Sequence, residues 1–274
     1  MAKINFKGNK ILITGASSGI GKALAVEFAQ RGAHLGLGAL PRETDLVASV
    51  AGDIKQRFGV KTWCFPIDLA KADGPDALYA SVKSEMGDID VLVNNAGIAF
   101  YGEFRDQPWE PLARTIHLNL HVPAKLMHLF IPHMIRQGHG LVINTSSVSA
   151  LQPTPYQTVY GATKAGLQSL SQAVRAELMG TGVTVCTFNP PYTKTDILNK
   201  GGFPENLRWY AISGLKRPEW IAEKAVKAFE KGKFLYVPGF SAWLFHIVLV
   251  RFSPRRLVDF VSRYFLRGGS LTGR

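Results

Sequence analysis

The sequence predicts an α/β protein: a doubly wound parallel sheet in three layers (αβα), extended at the C-terminus by apolar, basic helices. Three observations predict it. Short apolar runs alternate with longer helical patterns along most of the chain. The first run leads into a glycine-rich turn, Gly15-Ala16-Ser17-Ser18-Gly19-Ile20-Gly21, and then into a helical pattern. The polar motifs singled out below gather at the C-terminal ends of the predicted strands, where open parallel sheets bind ligands.

The 274 residues fit one α/β domain, and the 46% of hydrophobic residues supply a core. The chain divides into a main α/β domain, residues 1–239, which carries all the motifs read below, and a helical extension, residues 240–274. Cys64 and Cys186 both sit in strand-like runs and read as buried free thiols, so no oxidising compartment is required. Residues 1–9 are polar and lack an apolar signal core. A cytoplasmic protein is therefore expected. The net charge of +12 fits nucleic acid, an anionic membrane surface or an anionic cofactor.

Residues 10–14 read as the first strand. The strand, glycine turn and helix to about residue 30 form a phosphate-binding arrangement. Glycines let the backbone approach a pyrophosphate, and the helix start offers N–H groups and a positive dipole end. Residues 33–38 read as the second strand. Folds selective for NAD place an acid near its end, but none occurs from Ala33 to Arg42. Arg42 can instead meet a 2′-phosphate, so NADP(H) is favoured over NAD(H). A helix over 43–58 and a strand over 61–66 follow, then Asp68, which either receives an adenine amino group or caps a turn. A helix over 75–86 precedes the buried strand 91–93 and Asn94-Asn95-Ala96-Gly97. A single long helix is predicted over 110–136, with Asn119 among apolar neighbours. His117, His121 and His128 share that stretch, but no acid or cysteine completes a ligand set and no metal is expected.

Residues 141–143 read as a buried strand ending at Ser146 and Ser147. A helix from near Thr158 then carries Tyr160 and Lys164, four residues apart and so on one face. A phenol titrates near 10, and a neighbouring cation favours its ionised form. With the Ser147 hydroxyl alongside, the set forms a proton donor or acceptor aimed at an alcohol or carbonyl. The strand 183–188 ends in Asn189-Pro190-Pro191-Tyr192-Thr193-Lys194-Thr195, and the last strand is predicted over 233–237.

Taken together, Thr14-Gly15-x-x-x-Gly19-x-Gly21, Asn94-Asn95-Ala96-Gly97, Ser147 and Tyr160-x-x-x-Lys164 resemble the short-chain dehydrogenase/reductase family over residues 10–236, and with it a Rossmann-like fold. The resemblance implies Tyr160 as general acid/base and Ser147, thirteen residues before it, as the group that polarises the substrate oxygen. It implies that Lys164 binds the nicotinamide ribose beside Tyr160 and lowers the tyrosine pKa, with Asn119 holding a water in a proton relay. Gly15, Ser17, Ser18, Gly19, Ile20, Gly21, Arg42, Asp68, Asn95, Pro190, Thr193 and Thr195 are implied cofactor contacts. A homodimer or homotetramer, paired through the long helices, is also implied. The chain departs from the family pattern in Pro190-Pro191, where Pro-Gly is usual, and in Ala39-Leu40, where the cofactor-selecting residue usually stands.

The segment 195–218 is then a substrate lid, and its Ile197, Leu198, Phe203, Leu207, Trp209 and Tyr210 suit a hydrophobic alcohol or ketone, lipid-, steroid- or acyl-like, or else complete the core. From residue 240 on, six arginines (251, 255, 256, 263, 267, 274) face one acid, Asp259, among aromatic and aliphatic residues. That composition fits helices lying on an anionic membrane at its inner face, a subunit contact or a cap on the cleft. No recognition motif or base-stacking platform accompanies the charge, so nucleic acid is not an expected partner. The function expected is an NAD(P)-dependent oxidoreductase of secondary alcohols and ketones. The alternative is a non-catalytic dinucleotide sensor on the same fold.

Overall fold

The structure, a computed structural model, describes residues 4–268; residues 1–3 and 269–274, with Arg274 of the basic tail, lie outside the described residues. Seven strands form one parallel sheet in the order β3-β2-β1-β4-β5-β6-β7: β1 Lys10–Thr14, β2 His34–Ala39, β3 Thr62–Pro66, β4 Val91–Asn94, β5 Gly140–Thr145, β6 Val183–Phe188 and β7 Leu235–Tyr236. Unbroken apolar runs such as Ile11-Leu12-Ile13 are what a strand covered on both faces requires. After β3 the chain returns to lay β4 beside β1, so strand order reverses at the β1–β4 seam and a crevice opens beyond their C-terminal ends.

The helices are α1 Gly19–Ala29, α2 Thr44–Phe58, α3 Gly74–Glu85, α4 Trp109–Ile116, α5 Val122–Gln137, α6 Thr158–Glu177, α7 Asp196–Lys200, α8 Arg208–Ser213, α9 Pro218–Glu230, α10 Phe240–Trp243, α11 Val250–Phe252 and α12 Arg255–Phe265. On one face of the sheet α1, α2 and α9 bury Phe28, Ile54 and Phe229. On the other, α3 and α5 bury Leu78, Val82, Phe130 and Met134. Among the described residues, no helix is long and apolar enough to cross a membrane.

Three expectations change. The single helix over 110–136 is broken by a π-helical turn, His117–His121, between α4 and α5. At its centre the Asn119 side chain is drawn to the Ile98 backbone, donating to its carbonyl at 2.8 Å and accepting its N–H at 3.0 Å. The last strand shrinks to Leu235–Tyr236, since only Thr187 and Phe188 of β6 pair with it. Of the two thiols, Cys186 in β6 is buried and burial pushes its pKa up to about 12, whereas Cys64 in β3 is half-buried. In the extension, a second π-helical turn, Leu244–Leu249, joins α10 to α11, and Ser253-Pro254 separates α11 from α12. Proline has no N–H to continue the helix and holds the preceding residue extended.

The extension is tied to the domain by His246, which packs 5.5 Å from Trp209 and donates from Nδ1 to Gln152 Oε1 at 3.0 Å. Burial pushes its pKa down to about 4. An imidazole in the unfolded chain titrates near 6.5, so between those values the unfolded chain binds a proton that the folded one excludes. The contribution is complete above about pH 6.5 and is lost as pH falls towards 4. Urea titrations should show wild type losing on the order of 3 kcal/mol more than His246→Gln over that window. At neutral pH, Phe229→Ala should cost about 3–5 kcal/mol by the same measurement, because Phe229 is fully buried edge-on to Phe188.

Candidate active site

The C-terminal ends of β1 and β4 are tied together first. Thr14 Oγ1 accepts the Asn95 and Ala96 N–H groups, both at 3.0 Å, and Asn95 Nδ2 donates to the Thr14 and Gly15 carbonyls at 3.0 and 3.2 Å. The chain then turns through Gly15 (φ 68°) and Gly19 (φ 55°) into α1. A Cβ on Gly21 would lie 2.0 Å from the Gly15 carbonyl oxygen, so only glycine lets the helix start against the turn. The resulting cradle exposes the unpaired N–H groups of the first turn of α1.

The second half of the site hangs on β5 and β6. Ser146 Oγ donates to the Lys164 carbonyl at 3.0 Å, whereas the Ser147 hydroxyl is hydrogen-bonded to Tyr160. Asn189, at the end of β6, donates to the Ser147 carbonyl at 2.8 Å and to Gln168 Oε1 at 2.6 Å. On α6, Lys164 Nζ lies 5.8 Å from the Tyr160 ring centroid and donates to the Thr145 carbonyl at 2.8 Å. Burial lowers the Lys164 pKa to about 8. Burial also raises that of Tyr160, opposed by the Ser147 hydrogen bond. The net direction for the phenol is thus upward, with burial outweighing the neighbouring groups. Desolvation penalises both charged forms, and the ammonium is bonded to a backbone carbonyl.

Glycine turn and tyrosine face a single cleft of about 420 Å³. Gly15, Ser17, Ser18, Gly19, Ile20, Arg42, Asp68, Asn95, Ser147, Tyr160, Lys164, Pro190, Thr193 and Thr195 line it. Gly21 packs behind the turn, and Asn119 lies fully buried under Gly97, so neither is in the lining. Several lining groups are already engaged within the fold. The Asn95 amide is spent on the β1 turn. Asp68 Oδ1 caps a turn by accepting the Ala70 N–H at 2.9 Å. Thr193 Oγ1 donates to the Pro191 carbonyl at 2.8 Å, and Thr195 Oγ1 to the Thr193 carbonyl at 3.4 Å.

Four lining or supporting residues escaped the sequence reading. Glu43 lines the cleft beside Arg42 and accepts a hydrogen bond from Ser17 Oγ at 2.7 Å. It directly follows Arg42, just past the acid-free run from Ala33 to Arg42. Gln157 donates from Nε2 to the Tyr192 hydroxyl at 2.6 Å, and both line the cleft. Asn189 acts from the strand end that had been noted, but its bond to Ser147 spans 42 residues and has no local signal. The lid divides: Ile197, Leu198 and Phe203 line the cleft, while Leu207 and Trp209 are buried with Leu266 of the extension.

A dinucleotide fits this cleft on the structure's own terms. The glycine cradle leaves backbone open for a pyrophosphate, Ser17, Arg42 and Glu43 surround one end, and Ser147, Tyr160 and Lys164 the other. Similarities to known proteins agree. Residues 9–202 match the family described as short chain dehydrogenase. A fatty acyl-CoA reductase of Mycobacterium tuberculosis is 32% identical over 241 residues, which is 83% of this chain and 81% of that protein. A very-long-chain 3-oxoacyl-CoA reductase of Laccaria bicolor is 35% identical over 183 residues, 65% of this chain. The matched part spans 53% of that relative and 62% of a second curated relative. The solved short-chain dehydrogenase from Sphingobium yanoikuyae in complex with NADPH superposes with a TM-score of 0.79 at 27% identity, covering 97% of this chain and 98% of that one. The chain belongs to the short chain dehydrogenase family.

Proposed function

We propose that the protein is a nicotinamide-dependent oxidoreductase that interconverts a hydrophobic ketone and its secondary alcohol, with NADP(H) as the preferred cofactor. The observation that carries this reading is the Ser147–Tyr160–Lys164 set, with Ser147 and Lys164 buried and Tyr160 half-buried, gathered in the same cleft as the glycine cradle. When bound, the cofactor supplies or accepts the hydride. The chain's own residues handle the proton.

Reduction suits the resting charge state. With its pKa raised by burial, Tyr160 carries its proton at neutral pH, ready to donate it to a carbonyl oxygen as negative charge develops there. Ser147, held from behind by Asn189, donates a second hydrogen bond to the same oxygen. Lys164, with its pKa near 8, is mostly protonated at neutral pH and stabilises the phenolate left behind. In oxidation the same proton runs from the alcohol to Tyr160. Asn119 sits in a π-helical turn, where backbone carbonyls leave the regular ladder, and a water held there would lead protons to Lys164. Gly15 to Ile20 and Thr193 to Thr195 hold the cofactor, Gly21 and Asn95 keep the cradle in shape, and Asp68 caps the turn after β3.

The substrate reading rests on Ile197, Leu198 and Phe203 in the lining, and on relatives named for acyl-CoA and oxoacyl-CoA reduction. An acyl chain carrying a ketone is the first class to try. Pairing of two copies through the long helices accords with Trp109 and Ile135, which α4 and α5 leave exposed.

With hydrophobic ketones and NADPH, Tyr160→Phe should lower kcat by about 10²- to 10⁴-fold while cofactor binding, read by fluorescence, changes little. Full activity in that variant would remove the proposed acid. Arg42→Ala should raise the KM for NADPH about tenfold and leave NADH nearly unaffected, with Glu43→Gln shifting the ratio the other way. Equal effects on both cofactors would sink the 2′-phosphate contact.

A further inference from the structure

We infer that the outer face of the C-terminal extension docks on an anionic lipid bilayer. This does not depend on the reaction proposed above. Residues 240–268 are apolar on two sides, and only the inner side is covered. There Phe245 and Phe265 pack on Trp209, with ring centroids 4.8 and 5.9 Å away, and the Leu266 carbonyl accepts the Tyr101 hydroxyl at 2.8 Å. On the outer side Phe240, Trp243, Leu249, Phe252, Leu257 and Phe260 stand in solvent, with Phe252 80% and Phe260 69% exposed. Scattered apolar side chains are ordinary on a protein surface, but six large exposed ones on one short extension, Phe240 stacked on Trp243 among them, are more than scatter and point to an interaction site.

The charge around that patch names its occupant. At 100° per residue, Leu257, Phe260 and Tyr264 of α12 fall within a stripe about 60° wide. Arg256 and Arg263 border it on the side away from buried Ser262 and half-buried Phe265. Residues 240–268 hold five arginines (251, 255, 256, 263, 267) and one acid, Asp259. All five are exposed, and among the described residues none makes an ion pair. An apolar stripe bordered by arginines suits a helix lying in the headgroup region, where the arginines meet anionic lipids. A second copy of this chain, docked face to face, would bring the same arginines against each other, a like-charge contact that the patch does nothing to relieve. The described helices are too short to span, so the extension lies on the surface rather than crossing it.

The test is flotation of the full-length protein with extruded vesicles. Wild type should float with vesicles holding roughly one third phosphatidylglycerol in phosphatidylcholine, about tenfold more than with phosphatidylcholine alone, and less at high salt. Phe252→Ser/Phe260→Ser and, separately, Arg255→Glu/Arg256→Glu should each cut the floated fraction about tenfold, with turnover and melting temperature unchanged. The charge reversal, made at exposed positions, keeps the test valid should the serine variant misfold. Wild type that stays unfloated, or that binds both vesicle types equally, overturns the proposal. So does a wild-type oligomer in sedimentation velocity that the serine pair dissociates while vesicles capture neither form, since a second copy would then own the face.

Discussion

Thr14 and Asn95 hold the point on which the rest of the molecule turns. Their four hydrogen bonds close the β1–β4 seam at the one place where strand order reverses. Everything on the β1 side of the seam, from the glycine cradle to Arg42, faces one end of the cleft. On the β4 side Ser147, Tyr160 and Lys164 face the other, while Thr195 reaches back to lie beside Gly19. Backbone groups buried at such a seam have no water to turn to, so an unmade bond there would cost about 1–3 kcal/mol. The closing amide is thus as much a part of the site as the residues that line it.

The second constraint is electrostatic. Lys164 is buried and Tyr160 half-buried, and desolvation pushes each towards its neutral form. At neutral pH the phenol then keeps its proton beside an ammonium that is still mostly charged, the pairing that the proposed reduction uses. The partners that fix their geometry, Thr145 below Lys164 and Asn189 behind Ser147, come from two neighbouring strands. The chemistry is set by a loop and a helix start, but its precision comes from the sheet.

Much of this was legible in the sequence, for reasons that differ by residue. The strands read clearly because buried parallel strands are unbroken apolar runs, and the glycine turn because its spacing is local. Tyr160 and Lys164 announce themselves by a helical spacing, Ser147 by its place after a strand. What stayed hidden depends on contacts across the chain. Glu43 reaches the cleft through Ser17, 26 residues away. The π-helical turn at Asn119 arises from a pull by the Ile98 backbone, which no helical pattern encodes. The lid was ambiguous because apolar residues there serve two cores, one facing the cleft and one facing the extension, and only the fold sorts Phe203 from Trp209.

The unequal burial of the two thiols gives the sheet its own gauges. Cys186 sits in β6, between β5 and β7, and its high pKa leaves almost no thiolate to react while the strand is in place. Cys64 lies in β3 at the opposite edge, half open to reagent. An alkylating agent will therefore find Cys64 through small excursions of the sheet's margin, and Cys186 only when the packing around β6 comes apart. Two clocks, one for breathing and one for rupture, are already written into the wild-type chain.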